Sequence, residues 1–185
     1  MEWKSIEAKI NQYSIDDLFL HQINEWRTLL GSEIHKHDPK IGEQHLNDIV
    51  QSYLNRILFL RVCEDRNLEE YQTLLKFADT NDFTALIKKF KQADKKYNSG
   101  LFEQLLKDKI VENVSSVFWT IIKQLYYPES PYSFSVFASD VLGSIYEIFL
   151  SEKLSIQNGT IVLVKKPENV DKDIIQRQLL LSMTF

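Results

Sequence analysis

The stretch Leu46-Asn-Asp-Ile-Val-Gln-Ser-Tyr-Leu-Asn-Arg-Ile-Leu-Phe-Leu60 decides the fold. Leu46, Ile49, Val50, Tyr53, Ile57 and Leu60 recur at the three- and four-residue spacing of one helix face, a row that Leu68 would extend. Leu54, Leu58 and Phe59 add apolar groups on the other sides. A helix that is apolar nearly all round is buried, so this one is central. On its N-terminal side, Ser14 and Asp17 fit a capping box. Ile15, Leu18, Phe19, Ile23, Trp26, Leu29 and Leu30 follow at helical spacing, and Gly31 is the expected stop. Residues 31–42, with Pro39 and two histidines, read as a loop.

On the C-terminal side the pattern continues in shorter pieces. Tyr71 to Ala78 reads as helix. Thr80 or Asn81 could cap the next, whose inward face is Phe83, Leu86, Ile87 and Phe90. Asn98-Ser-Gly100 breaks the periodicity, which Leu101, Phe102, Leu105 and Leu106 resume. Val114, Val117, Phe118, Ile121, Ile122 and Leu125 line another helix, ended by Pro128 and Pro131. Phe134, Phe137, Val141, Ile145, Ile148 and Phe149 carry a last one to about Leu154. Then the signal changes. Leu154-Ser-Ile and Thr160-Ile-Val-Leu-Val164, joined through Gln157-Asn-Gly, read as a β-hairpin on an Asn-Gly turn. The expected fold class is therefore all-α, a multi-helix bundle with a small C-terminal β-hairpin.

Composition agrees with a soluble domain of 185 residues, 44% apolar and 26% charged. No apolar run is long enough to span a bilayer, and Met1-Glu-Trp-Lys-Ser-Ile lacks the layout of a signal peptide. A lone cysteine, Cys63, cannot form an internal disulfide, which favours the cytoplasm. A net charge of -4 argues against a stand-alone, salt-driven DNA binder. It leaves room for a local basic face. Lys88, Lys91 and Lys95 share a helix side, with Lys89 and Lys96 beside them. These five are candidate DNA-backbone contacts; the bland alternative is a solvated helix face. His35-x-His37-Asp38 offers imidazoles and a carboxylate, but a structural zinc takes four ligands, so no metal site is assigned. Cys63, on an apolar helix, reads as a buried structural thiol. The aromatic residues between Tyr126 and Phe137 could stack on bases but read better as packing.

Five phrases carry a family resemblance. Asn55-Arg-Ile-Leu-Phe-Leu-Arg-Val-Cys-Glu-Asp-Arg-Asn-Leu68 places Arg56, Phe59, Arg61, Glu64, Asp65 and Arg66 in an "R…F…R…E-D-R-G" pattern, with Asn67 at the glycine. Tyr97-Asn-Ser-Gly-Leu-Phe102, Pro131-Tyr-Ser-Phe-Ser-Val136, Asp140-Val-Leu-Gly-Ser-Ile-Tyr-Glu-Ile-Phe-Leu150 and the Trp26-Arg27 helix, residues 20–34, complete the set in order. Together, over about residues 15–155, they resemble the helical region of type IIG restriction-modification enzymes and related N6-adenine-specific DNA methyltransferases. Physically, Arg61 with Glu64 and Asp65 makes pairs at helical spacing. Arg56, Arg61, Glu64, Asp65 and Arg66 are thus expected to form a structural ion-pair network.

The resemblance implies a connector that joins an upstream module to a methyltransferase domain. The catalytic parts do not occur in this sequence. There is no Asn/Asp-Pro-Pro-Tyr/Phe loop to hold a flipped base, and no phosphate-binding loop of the G-x-x-x-x-G-K type. No convincing Pro-Asp…Glu-x-Lys nuclease core is present either. The expectation is no catalytic residue and no cofactor in this chain, with S-adenosylmethionine and magnesium confined to the full-length parent enzymes. Residues 1–153 read as the connector, 154–166 as the hairpin. Residues 167–185 read as a tail, expected to be frameshifted and poorly ordered, where the family would open its catalytic domain with "Y-T-P". The expected function is a non-catalytic scaffold that positions the missing catalytic domain on DNA in a bacterial defence system. Its partners would be that domain and, weakly, DNA, with no membrane. The alternative is a stand-alone helical protein-interaction module.

Overall fold

A computed structural model describes residues 15–97, 108–130, 132, 134 and 151–166. Among them are six helices: α1 (Ile15–His37), α2 (Glu43–Asp65), α3 (Thr73–Thr80), α4 (Phe83–Tyr97), α5 (Asp108–Asn113) and α6 (Ser115–Lys123). Strands β1 (Glu152–Gln157) and β2 (Thr160–Lys165) form one antiparallel hairpin. The helical class with a small hairpin is as the sequence indicates.

Helix α2 is the central one. Leu46, Ile49, Val50, Tyr53, Leu54, Ile57, Leu58, Leu60 and Cys63 are all buried, which occupies more than one side of the helix. Against it lies α1, whose Phe19, Ile23, Trp26, Leu30 and Ile34 form a single buried stripe at helical spacing. Leu74 and Ala78 of α3, Leu86, Phe90 and Ala93 of α4, and Phe118, Ile121 and Ile122 of α6 complete the core. Tyr53 sits among Phe83, Phe90 and Phe118, with an edge-on approach of 5.4 Å to Phe118.

Several boundaries differ from the sequence reading. Helix α1 does not stop at Gly31 but runs on to His37, leaving only residues 38–42 as the loop. Gly31 serves packing instead. A Cβ there would lie 2.7 Å from Leu154 Cδ1 and 3.6 Å from Ile161 Cγ2, so the hairpin rests directly on the helix backbone. Leu68 falls beyond the end of α2 and is 54% exposed, because Asn67 turns the chain out with φ 57°. That left-handed residue stands where a glycine was expected and meets the same need. Asn81 is the left-handed C-cap of α3 (φ 53°) rather than a cap for α4. Asp82 fills that role, its carboxylate accepting the Ala85 N–H at 2.8 Å. The single helix expected around Val114 is two, broken at Val114 itself (φ -112°, ψ 23°). Strand β1 starts at Glu152, so the expected helix end at Leu154 is already strand.

The hairpin turn is as expected. Asn158 (φ 51°) and Gly159 (φ 76°) both take positive φ, the requirement of a type I′ turn between Gln157 and Thr160. Ser14, residues 98–107 and 135–150, and the tail 167–185 lie outside the described residues, along with the expectations placed on them.

Candidate functional site

The charged phrase at the end of α2 builds a closed cluster. Arg61 is buried. Its Nε donates to the Leu125 carbonyl at 3.0 Å, and its Nη1 pairs with Asp65 and lies 4.0 Å from Glu64. The guanidinium also lies over the rings of Tyr126 (4.5 Å), Phe134 (5.0 Å) and Tyr71 (5.2 Å). The two acids are spent on backbone. Glu64 accepts the Leu74 N–H at 3.0 Å, the Gln72 N–H at 3.1 Å and the Tyr126 hydroxyl at 2.6 Å. It thereby caps α3, whose preceding residue Gln72 is left-handed (φ 64°) and makes no side-chain cap of its own. Asp65 accepts the Phe134 N–H at 2.8 Å. One knot thus ties the end of α2 to the start of α3, to the turn after α6 and to Phe134.

Burial pushes the Glu64 carboxyl above its usual range, against the donors that surround it. Burial, with the Glu64 charge beside it, pushes the Tyr126 phenol well up, so it stays a donor. Arg56 and Arg66 sit elsewhere on α2. Arg56 is buried one and a half turns earlier, over the rings of Tyr53 (5.3 Å) and Phe90 (5.5 Å). Arg66 is the exposed C-cap of α2, its own N–H bonded to the Val62 carbonyl.

The lysines divide into two groups. Glu69 draws Lys89 and Lys96 to itself, Lys96 at 2.9 Å, and accepts the Tyr97 hydroxyl at 2.6 Å. Lys96 also donates to the Leu68 carbonyl at 2.8 Å. These two lysines are therefore occupied in fastening α4 to the loop after α2. Lys88, Lys91 and Lys95 are exposed, and no described carboxylate pairs with them. Among the described residues, this triplet is the basic face without an acid partner.

Burial raises the Glu69 carboxyl, but hydrogen bonds from Lys89, Tyr97 and Lys96 outweigh it and hold the group at about 2, against an ordinary 4.5. A depressed folded value means stability that is fully present above about 4.5 and lost as pH falls toward about 2. Acid unfolding followed by circular dichroism should therefore be steeper in that window for the native chain than for Glu69→Gln. Equal slopes would show that the Glu69 charge carries no stability.

Sequence reading missed the clamp on the hairpin. Asn47 donates to the Leu154 carbonyl and accepts the Leu154 N–H, both at 2.8 Å. Glu43 accepts the Ile156 N–H and the Ser155 hydroxyl at 2.8 Å each; these hydrogen bonds, the Ile156 one first, hold its carboxyl below the usual range. Arg27, buried, donates to the Glu152 carbonyl at 2.8 Å and to Asn24 at 2.9 Å. Burial lowers it to about 10, against the pull of Glu152, and it remains cationic at neutral pH. The partners lie more than one hundred residues apart, and no local pattern marks them.

His35 and His37 lie on the last turn of α1, and Asp38 accepts the Lys40 N–H at 3.1 Å. Among the described residues no group of three His, Cys, Asp or Glu is placed to hold a metal. Cys63 is buried, and burial pushes its thiol up, away from a reactive thiolate. No described helix is long and apolar enough to cross a membrane.

No family model and no solved structure matches the chain. Over 175 residues, 94% of its length, it is 55% identical to the type II restriction enzyme and methyltransferase RM.Eco57I of Escherichia coli. It spans only 18% of that relative. The resemblance carried by the helical phrases therefore holds, and this chain is similar, along nearly its whole length, to one stretch of a restriction enzyme and methyltransferase.

Proposed function

We propose that the chain is a non-catalytic helical connector of a type IIG restriction-modification enzyme that methylates adenine. In this role it holds the catalytic domain at a fixed distance and angle on DNA. The observation that carries the reading is the use made of the buried charges. Glu64 and Asp65 accept backbone N–H groups of Leu74, Gln72 and Phe134, and Arg61 neutralises them. Charges committed to closing helix ends hold a frame rigid and are not available to act on a substrate. In this reading S-adenosylmethionine and magnesium belong to the remainder of the longer enzyme, which works in the cytoplasm.

The exposed triplet Lys88, Lys91 and Lys95 is the surface we assign to the DNA backbone. Three phosphate contacts give a log–log salt slope of about -3 and weak affinity, in keeping with the acidic balance. Fluorescence anisotropy with a labelled duplex, titrated with salt, tests it. The Lys88→Glu/Lys91→Glu/Lys95→Glu variant should lose the binding, whereas Lys89→Ala/Lys96→Ala should weaken stability rather than affinity. Binding that ignores both salt and the triple variant would instead favour a helical protein-interaction module.

A further inference from the structure

Helix α4 carries two basic rows side by side. Lys88, Lys91 and Lys95 form the exposed one. Lys89 and Lys96, about two turns apart, form the other. Lys89 follows Lys88 in the chain and Lys96 follows Lys95, so the rows lie about 100° apart around the helix axis. A lysine stem is long and flexible enough to cross that angle. By position alone, all five ammoniums would serve one phosphate track.

A single carboxylate prevents it. Both oxygens of Glu69 are engaged by this helix. Oε2 takes the Lys89 ammonium, and Oε1 takes Lys96 at 2.9 Å and the Tyr97 hydroxyl at 2.6 Å. The Glu69 side chain is 9% exposed and that of Lys89 18%, so salt screens this pairing little. Lys96 is held further by the Leu68 carbonyl at 2.8 Å and lies over the Tyr97 ring at 5.0 Å. Two ammoniums and a hydroxyl gathered on one anion are the donor set that a phosphate oxyanion attracts. Here the protein supplies the anion itself.

We propose that Glu69 is an autoinhibitory contact: an internal stand-in for phosphate that withholds Lys89 and Lys96 from DNA. It limits the basic surface of α4 to three contacts. The inference rests on the reading of Lys88, Lys91 and Lys95 as backbone contacts, and adds what sets the strength of their grip. Each further phosphate contact would tighten binding to every sequence alike. A connector that positions a catalytic domain without reading bases is served by a weak grip, since a strong one would hold the enzyme at unspecific DNA.

Duplex binding by the full 185-residue chain, followed by fluorescence anisotropy across a salt series, tests the contact with Glu69→Gln. The expected result is affinity at least about tenfold higher at about 50 mM salt. The log–log salt slope should steepen from about -3 to about -4.5 as five contacts replace three. Adding Lys89→Ala/Lys96→Ala to Glu69→Gln should restore the native slope. Asp94, on the same helix, has no ion-pair partner among the described residues, so Asp94→Asn removes a charge without releasing a lysine and should leave the slope unchanged. Lysine ammonium NMR of the native chain gives a readout that needs no variant: on adding duplex, the signals of Lys88, Lys91 and Lys95 should shift and those of Lys89 and Lys96 should stay. Circular dichroism checks that Glu69→Gln is folded; if it is not, the NMR result decides. A folded Glu69→Gln with native affinity and slope, or Lys89 and Lys96 signals that move with the triplet, would overturn the contact and leave the role of the triplet intact. Binding indifferent to Lys88→Glu/Lys91→Glu/Lys95→Glu would overturn both.

Discussion

Replacing Arg61 with alanine is expected to destabilise the chain by about 3–5 kcal/mol, the cost of stranding buried partners of a lost charge. The guanidinium holds the Leu125 carbonyl, pairs with Asp65 and packs on Tyr126 and Phe134. Without it Asp65 and Glu64 keep their backbone donors but lose their cation. Arg61→Lys should recover only part of the loss, since an ammonium lacks the planar fork that serves a carbonyl and a carboxylate together. The effect should be shared by Tyr126→Phe in a double-mutant cycle, because Tyr126 touches both Arg61 and Glu64. Thermal denaturation of the four chains measures it, and strict additivity would mean that the knot does not act as a unit.

The second large effect is at Asn47. Its amide makes a two-way pairing with the Leu154 backbone, and it also donates to the Glu43 carbonyl. Asn47→Leu leaves the Leu154 N–H and C=O without partners on a half-buried edge, an expected loss of about 2–4 kcal/mol. An isolated two-stranded hairpin is marginal in water, so the loss should appear locally first. Exchange of the Leu154 and Ile156 amides should accelerate before the helical core unfolds. Asn47→Asp should behave differently from Asn47→Leu, keeping the acceptor for the Leu154 N–H while losing the donor for its carbonyl.

These two sites show what the sequence could and could not reveal. The helices were legible because Leu46 to Leu60 and Phe19 to Leu30 repeat at a helical period that only a buried face explains. The turn was legible because Asn158-Gly159 has few other uses between two apolar runs. The Arg61 pairs were legible because they are three and four residues apart on one helix. Gly31 misled because glycine suits both a helix end and a close crossing, and only the approach of Leu154 separates the two. All five lysines were read as candidate DNA contacts, and Glu69, some twenty residues earlier in the chain, engages Lys89 and Lys96. The hairpin clamp was invisible: Asn47 and Leu154 meet only once the chain has folded.

The account rests on the claim that this chain positions chemistry carried elsewhere. Incubating the purified 185-residue protein with labelled S-adenosylmethionine and an adenine-containing duplex, at a salt concentration where the duplex is bound, tests it most directly. The account predicts bound DNA with no label transferred. Methyl transfer to adenine by this chain alone, lost on mutation of its own residues, would contradict it.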